Sequence, residues 1–192
     1  SKSAAKSART IVKVGIVGAG QMGAGIAHVV ALGGYKVALN DLKRETFDNA
    51  VSIIDKNMLR QVAKGTIKDG DREKALNRIT YAPALDAFGD CDLVIEAATE
   101  DEETKHRIFA ALGPHLKPTA LLASNTSSIS ITRLAAATDR PEDFIGMHSL
   151  NPVPLMELVE LIRGIATEDE TFATAKAFVE SLGKKTAVSE DF

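Results

Sequence analysis

VGIVGAGQMGAGIA, residues 14–27, is the stretch whose reading decides the fold. Gly18, Gly20 and Gly23 fall in the pattern G-x-G-x-x-G, with Ala19, Gln21 and Met22 between them. A β-branched run, Ile11 to Val17, leads in, and Met22 to Leu32 reads as a helix with small residues near its start. Glycines alone also fit turns that bind nothing. A strand feeding a glycine turn that opens a helix is the context in which such a turn cradles a pyrophosphate. Gly18 permits the tight turn, Gly20 lets a phosphate approach the backbone, and Gly23 lets the helix lie close to the strand. The helix start adds free N–H groups and a partial positive charge. Residues 18–23 are therefore the expected pyrophosphate cradle.

The fingerprint also asks for an acid about 20 residues on, at the end of the next strand. Gly33 and Gly34 stop the helix, Tyr35 to Leu39 reads as a strand, and Asp41 follows, 18 residues beyond Gly23. A carboxylate there accepts bonds from adenosine ribose hydroxyls and repels a 2′-phosphate, which favours NAD over NADP. Lys43 and Arg44 stand close by and pull the other way, since a basic residue can take the extra phosphate.

Working outward, strands and helices alternate. Arg44 to Ala63 carries Phe47, Val51, Ile54, Met58 and Val62 at helical spacing. A turn and another helix follow, then a weak strand, Ile79 to Ala82. Cys91 to Ala98 is almost wholly apolar and suits a strand covered on both faces. Further helices are expected over Glu102–Leu112, Ile131–Thr138 and Glu170–Leu182. Further strands are expected over Ala120–Ala123, Phe144–His148, Met156–Ile162 and Lys185–Val188. This order is that of an α/β, Rossmann-type, doubly wound and mostly parallel sheet, with ligands in the crevice at the strands' carboxyl ends.

Composition narrows the class. The chain has 192 residues, 45% of them hydrophobic, and a formal net charge of −3, so no general field for nucleic acid is expected. A lone cysteine, Cys91, allows no internal disulfide and reads as a buried small hydrophobe. No run approaches the roughly 18 apolar residues of a membrane span. Residues 1–10 are small, polar and basic, without the apolar region of a secretory signal, and are expected to form a flexible arm before a domain at 11–192. The expectation is a cytoplasmic protein with no metal site, because no histidine pair with an acid shows ligand spacing. His28 is expected to be packed or at the surface, and His106 and His115 to be solvated.

Two segments in the second half bear on chemistry. LASNTSSISI, residues 122–131, follows a strand and offers Ser124, Asn125, Thr126, Ser127 and Ser128 at the crevice edge. IGMHSLNPVPLMELVELIRG, residues 145–164, places His148 at a strand end and Glu160 twelve residues later. A histidine suits proton transfer near neutral pH. A carboxylate behind it would fix its tautomer and stabilise the imidazolium, as the acid does in serine hydrolase triads.

The glycine turn, SNTSS and the H-x-x-N-P-V-P-x-M-x-L-V-E segment together resemble the NAD-binding domain of the 3-hydroxyacyl-CoA dehydrogenases, most closely the bacterial 3-hydroxybutyryl-CoA type. The resemblance runs from about Thr10 to Phe192. It implies NAD-dependent interconversion of (S)-3-hydroxyacyl-CoA and 3-oxoacyl-CoA. It implies His148 as general base in oxidation and acid in reduction, paired with Glu160. Ser127 would bond the substrate oxygen and help position the nicotinamide, with Asn151 near that ring. Glu100, Lys105 and Asn125 would meet the cofactor; Asn57 and Lys64 would meet the CoA moiety. Relatives continue past this terminus into a mostly helical domain that dimerises, closes the cleft and supplies another asparagine. The chain is thus expected to keep the dinucleotide site and to turn over poorly alone. Two departures stand out. Ser149-Leu150 replaces a bulky apolar pair, and Glu157 stands where most relatives carry lysine. Rival readings are a dehydrogenase of free hydroxy acids, of the gulonate type, and a non-catalytic nucleotide-binding or structural module.

Overall fold

The computed structural model describes residues 9–191. Eight strands and six α-helices follow one another along the described residues. They are β1 Lys13–Val17, α1 Gln21–Leu32, β2 Lys36–Asn40, α2 Arg44–Ala63, α3 Asp69–Asn77, β3 Ile79–Ala82, β4 Leu93–Glu96, α4 Glu102–Leu112, β5 Leu121–Ser124, α5 Ile131–Ala136, β6 Phe144–Ser149, β7 Leu158–Gly164, α6 Asp169–Ser181 and β8 Lys185–Asp191. The strands form one eight-stranded sheet in the order β3-β2-β1-β4-β5-β6-β7-β8. All neighbours are parallel except β6 and β7. This is the doubly wound, mostly parallel sheet that the alternation predicts.

Successive strand residues point to opposite faces, and both faces are covered. Val14, Ile16, Leu39 and Ile95 pack with α1, α2 and α6 on one side. Val17, Ala38, Val94 and Leu122 pack with Phe109, Leu112 and Leu134 of α4 and α5 on the other. β1, β4 and β5 lie between these layers, and their nearly unbroken apolar runs follow from that. Cys91 is fully buried in the second layer, and burial pushes its thiol up to about 12, which leaves it inert.

Several boundaries move from the expectation. The regular strand within Cys91–Ala98 is only Leu93–Glu96: Cys91 N–H closes a turn onto Phe88, and the ladder with β1 ends at Glu96. β8 runs three residues past Val188, because β7 offers a parallel partner as far as Gly164, opposite Asp191. Asp191 then ties back to α5, accepting from Ile131 N–H and Thr132 Oγ1. Residues 1–8 of the expected flexible arm lie outside the described residues, but Arg9 is not free. Its guanidinium bonds Asp143 at 2.7 Å, Glu170 at 3.2 Å and the Thr119 carbonyl at 3.0 Å. His106 is half-buried with Nε2 out of solvent contact, not a solvated surface residue.

Candidate active site

β1, β4, β5 and β6 are mutually parallel, so their carboxyl ends share one edge of the sheet. The glycine turn lies there between β1 and α1. Gly18 has φ +101°, and a Cβ on it would lie 2.7 Å from Ala98 Cα. A Cβ on Gly23 would lie 1.7 Å from the Gly18 carbonyl oxygen. Both glycines are thus required by close backbone approach inside the fold. Gly20 differs: it is exposed, and an added Cβ meets nothing within 4 Å. Nothing internal demands glycine there, and what the missing Cβ leaves clear is space outside the turn. α1 begins at Gln21 with no side-chain cap and no acid in its first turn, so its leading N–H groups keep their affinity for an anion. These features fit a dinucleotide pyrophosphate.

Asp41 follows β2 at the same edge. Its carboxylate accepts from Ala19 N–H at 3.1 Å and Lys43 N–H at 3.3 Å, which joins it to the glycine turn. Arg44 is turned elsewhere. Its Nε donates to Asp48 at 3.1 Å, and its guanidinium lies 5.4 and 5.1 Å from the Phe47 and Tyr81 ring centres. Of the two basic neighbours that argued for a 2′-phosphate, Arg44 therefore has other partners.

A cleft of about 410 Å³ opens beside the turn. Gly20 and Gln21, Asn57 of α2, and the segment Asn151 to Pro154 all line it. Met22 is half-buried behind the turn. Lys64 is exposed at the carboxyl end of α2, seven residues or roughly 10 Å beyond Asn57, and does not line the cleft.

His148 is the penultimate residue of β6 and pairs across the antiparallel ladder with Glu160 of β7. Directly opposed residues on such a ladder have Cβ atoms about 5 Å apart. Ser127 is exposed on the loop after β5 and shares a groove with Glu160. Glu100 holds that loop on both sides of Ser127, accepting from Thr126 Oγ1 at 3.0 Å and Ser128 Oγ at 3.1 Å.

Two residues expected to meet the cofactor have partners inside the fold. Lys105 gives no atom to the crevice surface: its side chain is fully buried and its ammonium pairs with Glu96, also fully buried. Glu96 accepts in addition from Ser124 Oγ at 2.7 Å and Ala98 N–H at 2.8 Å, so the buried carboxylate is hydrogen-bonded from three groups. Asn125 is buried, and its Oδ1 accepts from Ser149 N–H at 2.9 Å. β5 ends at Ser124, so this side chain supplies β6 with one more rung, next to His148. Helix α4 and the tips of β4, β5 and β6 are thereby joined by side chains. Glu96 carries no motif, and its one signal was an acid inside the apolar run LVIEA.

A family model described as "3-hydroxyacyl-CoA dehydrogenase, NAD binding domain" matches residues 13–192. The chain belongs to this family. The 3-hydroxybutyryl-CoA dehydrogenase of Bradyrhizobium diazoefficiens is 60% identical over 185 residues, 96% of this chain and 63% of that relative. The enzyme of the same name from Mycobacterium tuberculosis is 41% identical over 183 residues, 94% of this chain and 64% of its own. The crystal structure of (S)-3-hydroxybutyryl-CoA dehydrogenase from Ralstonia eutropha matches with a TM-score of 0.93 at 42% identity, covering 95% of this chain and 65% of that one. The chain thus spans just under two thirds of the length of these 3-hydroxyacyl-CoA dehydrogenase relatives. It is an NAD-binding domain, and its cofactor is NAD. Among the described residues no helix is long and apolar enough to cross a membrane.

Proposed function

We propose that the full-length protein oxidises (S)-3-hydroxyacyl-CoA to 3-oxoacyl-CoA and catalyses the reverse, with 3-hydroxybutyryl-CoA the first substrate to test. The observation that carries the reading is the direct cross-strand pairing of His148 with Glu160, at the crevice edge that also bears the glycine turn and the Ser127 loop. NAD, when bound, supplies the hydride acceptor. His148 removes the hydroxyl proton during oxidation and returns it during reduction. Glu160 opposes the positive charge that His148 then acquires. Ser127 donates a hydrogen bond from its hydroxyl to the substrate oxygen, and Asn151 borders the nicotinamide end of the cleft. Gly18 to Gly23 hold the pyrophosphate and Asp41 the adenosine ribose, while Asn57 and Lys64 meet the CoA moiety. Glu100 sets the Ser127 loop from beside the cofactor. The same reading includes a mostly helical second domain that closes the cleft and forms a homodimer, and a cytoplasmic setting. The greater length of the relatives supports the second domain.

The test follows NADH absorbance with acetoacetyl-CoA on the full-length protein. His148→Gln should lower kcat by about 10²- to 10⁴-fold, the range of a positioned general acid–base. Near-normal turnover by that variant would refute the role. Activity on free hydroxy acids without CoA would favour the gulonate-type reading. Chromatographic mass measurement of the same protein tests the dimer.

A further inference from the structure

Lys184 stands between α6 and β8, outside every residue assigned above. Its Nζ donates to three main-chain carbonyls: Val153 at 3.1 Å, Pro154 at 3.5 Å and Met156 at 2.7 Å. An ammonium has three donors and no acceptor, so these carbonyls can occupy it fully. Burial holds Lys184 below the usual lysine range, with the charge of Glu157 pulling the other way. All three carbonyls belong to the turn that follows Asn151-Pro152.

The same turn is gripped from a second side. A Cβ built on Gly25 of α1 would meet Val153 Cβ and Cγ2 at 3.0 Å and Pro154 Cδ at 3.7 Å. The turn therefore rests closely on helix backbone that Gly25 leaves bare. Its leading residues, Asn151 and Pro152, form part of the wall of the cleft that Gly20, Gln21 and Asn57 also line. A shift of this turn changes the cleft directly.

We propose that Lys184 is a positioning residue: it holds the turn bearing Asn151 against α1 and so sets the width of the cofactor cleft. This rests on the reading of that cleft given under Proposed function. Lys184 touches no reacting atom and acts through Asn151.

The experiment uses the full-length protein with Lys184→Met and Lys184→Arg, each alone and combined with Asn151→Ala. NADH affinity is read by fluorescence titration, kcat and KM with acetoacetyl-CoA, and melting temperature as a control. Lys184→Met should weaken NADH binding by about tenfold, change kcat less than KM, and be partly rescued by Lys184→Arg. In the Asn151→Ala background the same substitution should cost under about twofold, because residues acting as a unit are not additive. Equal losses in both backgrounds, or a lowered melting temperature with native NADH affinity, would overturn the proposal. If Lys184→Met does not fold, Gly25→Ala presses the turn from the other side and must also weaken NADH binding; native affinity there overturns it. A protein that shows this NADH pattern but no turnover of acetoacetyl-CoA fails the reaction reading and keeps the clamp. Turnover without the NADH pattern fails the clamp alone.

Discussion

The glycine turn and the network at the tips of β4, β5 and β6 stand at one edge of the same sheet, yet they are made of different material. The turn is backbone. Gly18 and Gly23 are fixed by approaches of 2.7 and 1.7 Å that leave no room for a Cβ, and the N–H groups at the start of α1 stay uncapped. The tip network is side chain. Lys105 and Ser124 are bonded to Glu96, and Asn125 to Ser149, within the fold. On the function proposed above, one region is rigid so that it can bind, and the other so that its neighbours, His148 above all, can act. The difference predicts which substitutions affect stability, which affect binding and which affect turnover alone.

The largest effect should come from breaking the buried pair. Lys105→Met leaves the Glu96 carboxylate buried with two neutral donors in place of a cation. Removing one partner of such a pair costs about 3–5 kcal/mol, whereas replacing both with apolar residues can be near neutral. Denaturant melts should therefore show Lys105→Met strongly destabilised and Glu96→Leu/Lys105→Met much less so. A single-variant loss below about 1 kcal/mol would mean that the ammonium leaves the interior easily and is free to meet the cofactor after all.

The glycines should split from one another. Gly23→Ala drives a Cβ into the Gly18 carbonyl and should cost about 1–3 kcal/mol or more, as overpacking does. Gly20→Ala adds a Cβ to open space at φ −73°, a conformation alanine accepts. Its melting temperature should stay within a degree or two of native, since backbone-compatible surface changes are worth about 0.5 kcal/mol or less, while NADH affinity falls. Native NADH affinity in Gly20→Ala would remove the claim that this position faces the pyrophosphate.

Asn125 divides positioning from contact. Asn125→Leu orphans the buried Ser149 N–H, worth about 1–3 kcal/mol. It should lower kcat while NADH affinity holds. The reverse pattern, weaker NADH binding with intact kcat, would return Asn125 to the cofactor side where the family resemblance put it.

These two regions also differ in how much of them a sequence shows. The glycine turn needs given residue types at given spacings, so Gly18, Gly20, Gly23 and Asp41 could be read along the chain. So could the sheet, because apolar strands and helices alternate over most of the chain. His148 and Glu160 were legible as a base and an acid twelve residues apart. Their opposition depends on β7 turning back antiparallel to β6, which no local pattern announces. The tip network is hidden from the sequence for the same reason. Lys105 looks like any lysine of a charged helix start, and only the fold sets it on Glu96, nine residues earlier and across a loop. Lys184 reaches a turn 31 residues away, a contact that neither periodicity nor composition marks.

The smallest effect concerns His28, where α1 meets α2 beside the cleft. It is almost fully buried, with Nε2 2.7 Å from Gln61 Oε1 and Nδ1 without a partner. Burial lowers its pKa from the usual value near 6.5; the Gln61 bond opposes this, and the positive charge of Lys184 adds to it. The folded state thus keeps His28 neutral where the unfolded chain would protonate it. A group with a depressed native pKa contributes stability that is present above its unfolded pKa and is lost as pH falls toward and through the native value. Melting temperature should accordingly drop as pH falls below about 6.5, where free histidine takes up its proton. His28→Gln can keep a bond to Gln61 without titrating, so its acid-side slope should be shallower than that of the native protein. Parallel slopes for the two would show that protonated His28 finds room in the cleft, and that the packing of α1 against α2 yields more readily than the glycine turn beside it.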